Sequence, residues 1–142
     1  HGLSLAGIFI THTHYDHVEG LADILQWRQA PVYAGKSSIA GILAEKKKQD
    51  DPLDLGCLKG RFIALPGHTA CSLGLVIGER VFTGDALFAG SIGGTPDDIT
   101  KQQEIQAVQQ QIFTLPHHYQ VHTGHGPSST VWIEKTFNPF FV

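Results

Sequence analysis

The densest chemistry in the chain lies in His12-Thr13-His14-Tyr15-Asp16-His17, where three imidazoles and a carboxylate stand close together. Imidazole and carboxylate donors without a thiolate suit zinc, with iron and manganese as alternatives. Side chains two apart on an extended backbone point the same way, so His12 and His14 can grip one ion. Asp16 and His17 fall where the chain turns towards a helix and can aim elsewhere. Three more donors, His68, Asp85 and His125, each follow a glycine that permits a tight turn. Composition alone would produce His-x-His-x-Asp-His in roughly two of a thousand such chains, so the motif is a strong signal.

The elements that must position these groups follow from apolar periodicity. Leu5 to Thr11 is short, apolar and β-branched, a buried strand ending at His12. Leu21, Ile24, Leu25 and Arg28 keep helical spacing. Pro31 to Ala34 suggests a strand, and Ser37 or Ser38 can cap a helix carrying Ile39, Ile42 and Leu43 that ends in the solvated Lys46 to Lys48. Asp50 to Gly56 is the most loop-like stretch. Leu58 to Leu65 reads as a strand ending near His68, and Ser72–Ile77 with Arg80–Thr83 reads as a hairpin around Gly78-Glu79 that delivers Asp85. Thr95 as N-cap and Pro96 at the first helical position open a helix with the stripe Ile99, Ile105, Val108, Ile112 and Leu115. A strand over Tyr119–Thr123 leads to His125, and a helix near Val131 to Phe137 follows. The donors thus recur at strand ends, and strands interleaved with helices argue an α/β or α+β layered fold.

Bulk properties set limits on function. The 142 residues fit a single domain spanning 1–142 with a real core. A net charge of −3 gives no reason to expect nucleic acid or an anionic membrane as partner. No apolar run reaches the roughly 20 residues of a membrane span. Cys57 and Cys71 are too few for a disulfide framework and read as buried free thiols. The cytoplasm is the expected compartment; the chain has no Met and opens at His1, so a targeting segment lost upstream is the alternative. His1, His117 and His118 read as structural. His122 rivals His125, but the glycine-flanked His125 at the strand end is preferred. Tyr15 could line a substrate pocket or pack as an aromatic. The glycine-rich Ser91 to Thr95 lacks the Lys-Ser/Thr ending of a phosphate loop.

The segments THTHYDH (11–17), PGHT (66–69), GDALF (84–88) and GHGP (124–127), in this order, resemble the metallo-β-lactamase fold superfamily. Within it, GDALFAGSIGGT (84–95) and the tail GHGPSSTVWIEKTFNPFF (124–141) are similar to the glyoxalase II-like, or hydroxyacylglutathione hydrolase-like, branch. The resemblance implies an αββα sandwich with two divalent metal ions at one edge of the sheets. It implies His12, His14 and His68 on the first ion, Asp16, His17 and His125 on the second, and Asp85 bridging. The chain departs from the pattern in three respects: few residues precede the His-x-His segment, so the usual N-terminal strands are lacking; Gly93-Gly94-Thr95 stands where Gly-Arg-Thr is usual; and no separate C-terminal helical domain follows.

Two cations about 3.5–4 Å apart can share a water and bring its pKa near 7, and the resulting metal-bound hydroxide can attack a carbonyl. Hydrolysis of a small-molecule thioester of the acyl-glutathione type, or of an activated ester, is therefore expected. Asp85 would fix the metal spacing and Asp16 would orient the nucleophile as the catalytic carboxylates. A mononuclear iron enzyme similar to the persulfide dioxygenases, using His12, His68 and Asp85, is the alternative; Ile112 to Pro116 also resembles that group. A third reading is an inactive metal-binding fragment. An open sheet edge would then pair with a second copy or a partner strand.

Overall fold

The computed structural model describes residues 2–142; His1 lies outside the described residues. Its elements are β1 (Ile8–Ile10), α1 (Tyr15–Val18), α2 (Leu21–Trp27), β2 (Val32–Ala34), β3 (Ser38–Ile39), β4 (Ile42–Leu43), β5 (Glu45–Lys46), β6 (Pro52–Leu55), β7 (Leu58–Ala64), β8 (Leu73–Ile77), β9 (Arg80–Gly84), α3 (Asp98–Gln111), β10 (Gln120–Thr123), β11 (Ser129–Thr130) and α4 (Val131–Phe137). A six-stranded sheet runs β11-β10-β9-β8-β7-β6, and a three-stranded sheet runs β1-β2-β5.

Strand alternation builds the layers. On β7, Phe62 faces one way and Ile63 the other. Ile63, Leu65, Val76, Val81 and Val121 pack against Val108 and Ile112 near α3 and against Val131 of α4. Phe62, Leu53, Leu73 and Leu75 face Phe9 and Tyr33 of the smaller sheet. On that sheet, Ile10, Val32 and Ala34 pack against Leu21 and Leu25 of α2. The result is the expected αββα sandwich, helix on sheet on sheet on helix. Between the sheets an apolar cleft of about 320 Å³ stays open, lined by Phe9, Tyr33, Leu53, Leu75 and Phe82 among others. Strand β1 has β2 as its one hydrogen-bonded neighbour among the described strands.

Several expectations are corrected. No helix carries Ile39, Ile42 and Leu43; β3 and β4 form a hairpin instead. Its two-residue turn has Ala40 at φ 49° and Gly41 at φ 80°, the paired positive angles that match hairpin twist. Lys46 to Lys48 is accordingly no helix end: Lys46 belongs to β5, and Lys47 pairs with Glu45 while lying over the rings of Tyr33 and Phe62. The stretch from Asp50 to Gly56 contains β6, paired with β7 through a turn at Gly56-Cys57. Pro52 is tolerated as the first residue of an edge strand. Cys57 is exposed and Cys71 is partly exposed, so neither is a buried thiol. Helix α2 ends at Trp27, leaving Arg28 as its C-cap, and Ile24 is exposed.

The N-cap of α3 is Asp97 rather than Thr95. Its carboxylate accepts from the backbone N–H of Thr100 at 2.8 Å, and the Thr100 hydroxyl accepts from the Asp97 backbone N–H at 3.3 Å. This reciprocal cap outcompetes the Thr-Pro start. Ile99 is 73% exposed and leaves the expected stripe; nine residues before Val108 amounts to two and a half turns, the opposite face. Glu104, Ala107 and Val108 form the buried face instead.

Phe62 is fully buried between the sheets. Phe62→Ala is expected to lower the stability of the metal-free protein by about 3–5 kcal/mol, read from urea unfolding; a loss under about 1 kcal/mol would contradict this packing.

Candidate metal centre

All seven donors expected from the sequence meet at one end of the sandwich. Beyond β1 the chain stays extended through His14, held in place by the Leu73 N–H donating to the Thr11 carbonyl at 2.8 Å. His12 Nε2 and His14 Nδ1 come within 3.1 Å. The short α1 then carries Asp16 and His17, and the His17 ring lies 4.1 Å from that of His12. His68 enters from the loop after β7, Asp85 from the end of β9 and His125 from the end of β10.

Besides the triplet His12, His17 and Asp85, two further groups of three result. In the first, His68 Nε2 lies 2.9 Å from His14 Nδ1, completing His12, His14 and His68. In the second, His125 Nε2 lies 3.0 Å from Asp16 Oδ2 and 3.3 Å from His17 Nε2. Asp85 stands between them. Its Oδ2 is 3.6 Å from both His68 Nε2 and His125 Nε2, and its Oδ1 is 3.3 Å from His17 Nε2.

The donor chemistry fits divalent cations on three observations. The Gly94 carbonyl can only accept, so His68 Nδ1, at 2.7 Å, must donate to it. That leaves the Nε2 lone pair directed at the other imidazoles, the tautomer a metal ligand requires. Asp85 Oδ1 is buried and has no hydrogen-bond partner among the described residues, an arrangement costly without a cation. Finally, a Cβ on Gly124 would sit 2.1 Å from Asp85 Oδ1 and 2.8 Å from His17 Cε1. Only glycine keeps that space between the ligands free.

The environment is graded. The side chains of His12 and Asp85 are buried, whereas those of Asp16 and His125 are more than half exposed. The second group is therefore the one open to solvent. Burial, reinforced by His17, pushes the His12 imidazole down to about 4, so it stays neutral and able to ligate at neutral pH. Desolvation raises the Asp16 carboxyl, but a hydrogen bond from its own backbone and the neighbouring His17 and His125 outweigh it and hold the group below its usual range. Burial also pushes Glu104, beneath the loop after β9, up to about 8.

His122 stays outside the cluster; its Nδ1 lies 3.0 Å from Ser128 Oγ and its ring stacks on Phe82. Tyr15 is 76% exposed beside the ligands and packs against no core. His117 and His118 are on the surface. Sequence reasoning overlooked Glu104 and the Gly94 carbonyl. The available signal was a carboxylate three and four residues before Ala107 and Val108, on the helix face that had to be apolar.

His12 carries a lower pKa folded than the ordinary 6.5, so the unfolded chain binds its proton first as pH falls. Its contribution to stability is present above 6.5 and is lost on acidification towards 4. The urea midpoint of metal-free protein should fall over this range, and His12→Gln should flatten the profile; an unchanged profile in that variant would remove His12 as the cause.

Comparison with known proteins agrees with this geometry. The family model described as the metallo-beta-lactamase superfamily matches residues 1–125. A probable metallo-hydrolase from Streptococcus pyogenes is 34% identical, the match covering 96% of this chain and 71% of that protein. A hydroxyacylglutathione hydrolase from Alkalilimnicola ehrlichii is 36% identical over 87% of this chain, which spans about half of that relative, 48%. The crystal structure of ETHE1 from Myxococcus xanthus superimposes with a TM-score of 0.87 at 30% identity, covering 97% of this chain and 63% of that one.

Proposed function

This chain belongs to the metallo-β-lactamase superfamily, and from that premise we propose that it is a binuclear metal-dependent hydrolase of thioesters of the acyl-glutathione type. The observation that carries the reading is Asp85, whose buried carboxylate faces both three-donor groups and whose Oδ1 has no other partner. His12, His14 and His68 would hold one cation and Asp16, His17 and His125 the other, with Asp85 shared. Zinc suits this donor set best, with iron and manganese as alternatives. A pair of such ions would supply Lewis acidity and lower the pKa of a water beside them.

The chain's own residues do the rest. Asp85 fixes the separation of the two groups. Asp16 lies at the exposed flank, 3.0 Å from His125 Nε2, where its ionised carboxylate can accept a proton from the attacking water and orient it. The neutral His12 keeps its lone pair on the buried side. The ligand set offers no separate acid for a leaving amine, whereas a thiolate, with a parent pKa of about 8.5, departs without one. Among the ligands only Asp16 and Asp85 are anionic, so two dications leave the centre positive even with a hydroxide present, which favours an anionic substrate. The hydroxyacylglutathione hydrolase relatives support the same class.

A mononuclear iron dioxygenase would use His12, His68 and Asp85 and leave Asp16, His17 and His125 without a role, although they converge equally closely. The test is to load the protein with zinc and assay it on an S-acyl glutathione. Turnover is expected in the wild type and absent in Asp85→Ala. No turnover above that control would sink the thioester reading, and oxygen consumption on a glutathione persulfide by the iron-loaded protein would replace it with the dioxygenase.

A further inference from the structure

Glu104 is fully buried, is absent from all three donor groups, and places a carboxyl group on the one face of α3 that packs into the core. Burial of this kind is rare for glutamate without a specific partner. Its Oε1 accepts from the Gly93 N–H at 3.1 Å. Among the described residues its Oε2 has no hydrogen bond of good geometry, and it lies against the chain leading into His68: a Cβ on Gly67 would be 2.8 Å from Oε2 and 2.2 Å from Glu104 Cβ. The neighbouring Gly93 is pressed against the ligands, since a Cβ there would be 2.1 Å from the Asp85 carbonyl oxygen and 2.9 Å from His68 Nδ1. The next residue, Gly94, supplies the carbonyl that receives the His68 Nδ1–H.

We infer that Glu104 is a positioning residue for the first metal group. From α3 it anchors the Gly93-Gly94 loop and abuts Gly67, and through both it fixes where His68 sits and which ring nitrogen faces the cation. Losing such an outer partner weakens metal binding by about 10–100-fold. Because Asp16 and His17 are carried by α1 and His125 by the loop after β10, the loss should fall mainly on the group of His12, His14 and His68. The inference rests on the metal-centre reading but not on the choice of substrate.

The test is a cobalt titration of the full chain, followed by the visible absorption of the bound ion and by chelator competition. His68→Ala and His125→Ala serve as markers for the two groups. Glu104→Leu is expected to lose affinity about 10–100-fold for one ion only, with the spectral pattern of His68→Ala. Glu104→Gln keeps an acceptor for the Gly93 N–H and should bind within a few-fold of wild type. Glu104→Leu binding both ions like the wild type, or losing both equally, would overturn the inference. A wild type that binds no cobalt would overturn the metal-centre reading along with it. Should Glu104→Leu fail to fold, amide exchange in the wild type decides: the Gly93 N–H is expected to be protected, and exchange as fast as that of the exposed Gly94 would refute the anchor.

Discussion

The organisation of the molecule turns on one buried carboxylate. Asp85 reaches both imidazole groups, and its Oδ1 has no hydrogen-bond partner among the described residues. A buried anion with an open coordination position is costly on its own, so the surrounding fold must hold it rigidly. It does so because β9 lies inside the six-stranded sheet, between β8 and β10. The parallel pairing of β9 with β10 sets Thr123 beside Gly84. Asp85 and His125 thereby leave the sheet at the same edge.

The other donors reach that edge by different routes, and each route depends on the core. The smaller sheet carries His12 and His14, and its position is fixed by Phe9 and Tyr33 packing on Phe62. The loop after β7 carries His68 and is backed by α3. Packing on both faces of the larger sheet thus brings four separate chain segments into one donor cluster. Local metal geometry is therefore inseparable from the two hydrophobic interfaces of the larger sheet.

Much of the site could be read in the sequence. Six residues from His12 to His17 held four of the seven donors, and the structure brings all four into the cluster, with His17 close to His12 as well as to His125. His68, Asp85 and His125 were legible because each follows a glycine at a strand end. The layered fold was legible from alternating apolar strands. The β3–β4 hairpin was not, because Ile39, Ile42 and Leu43 satisfy helical spacing and the deciding fact was positive φ at Ala40 and Gly41. Strand β6 was hidden by Pro52 and by its acidic neighbours. Glu104 was obscured for a different reason: its role depends on loops from distant parts of the chain, and no local pattern encodes them.

The central claim, that Asp85 lies between two cations, is tested most directly by anomalous scattering from crystals of the metal-loaded chain. Two peaks about 3.5–4 Å apart are expected, one against His12, His14 and His68 and the other against Asp16, His17 and His125. A single peak, or none in contact with Asp85, would contradict it.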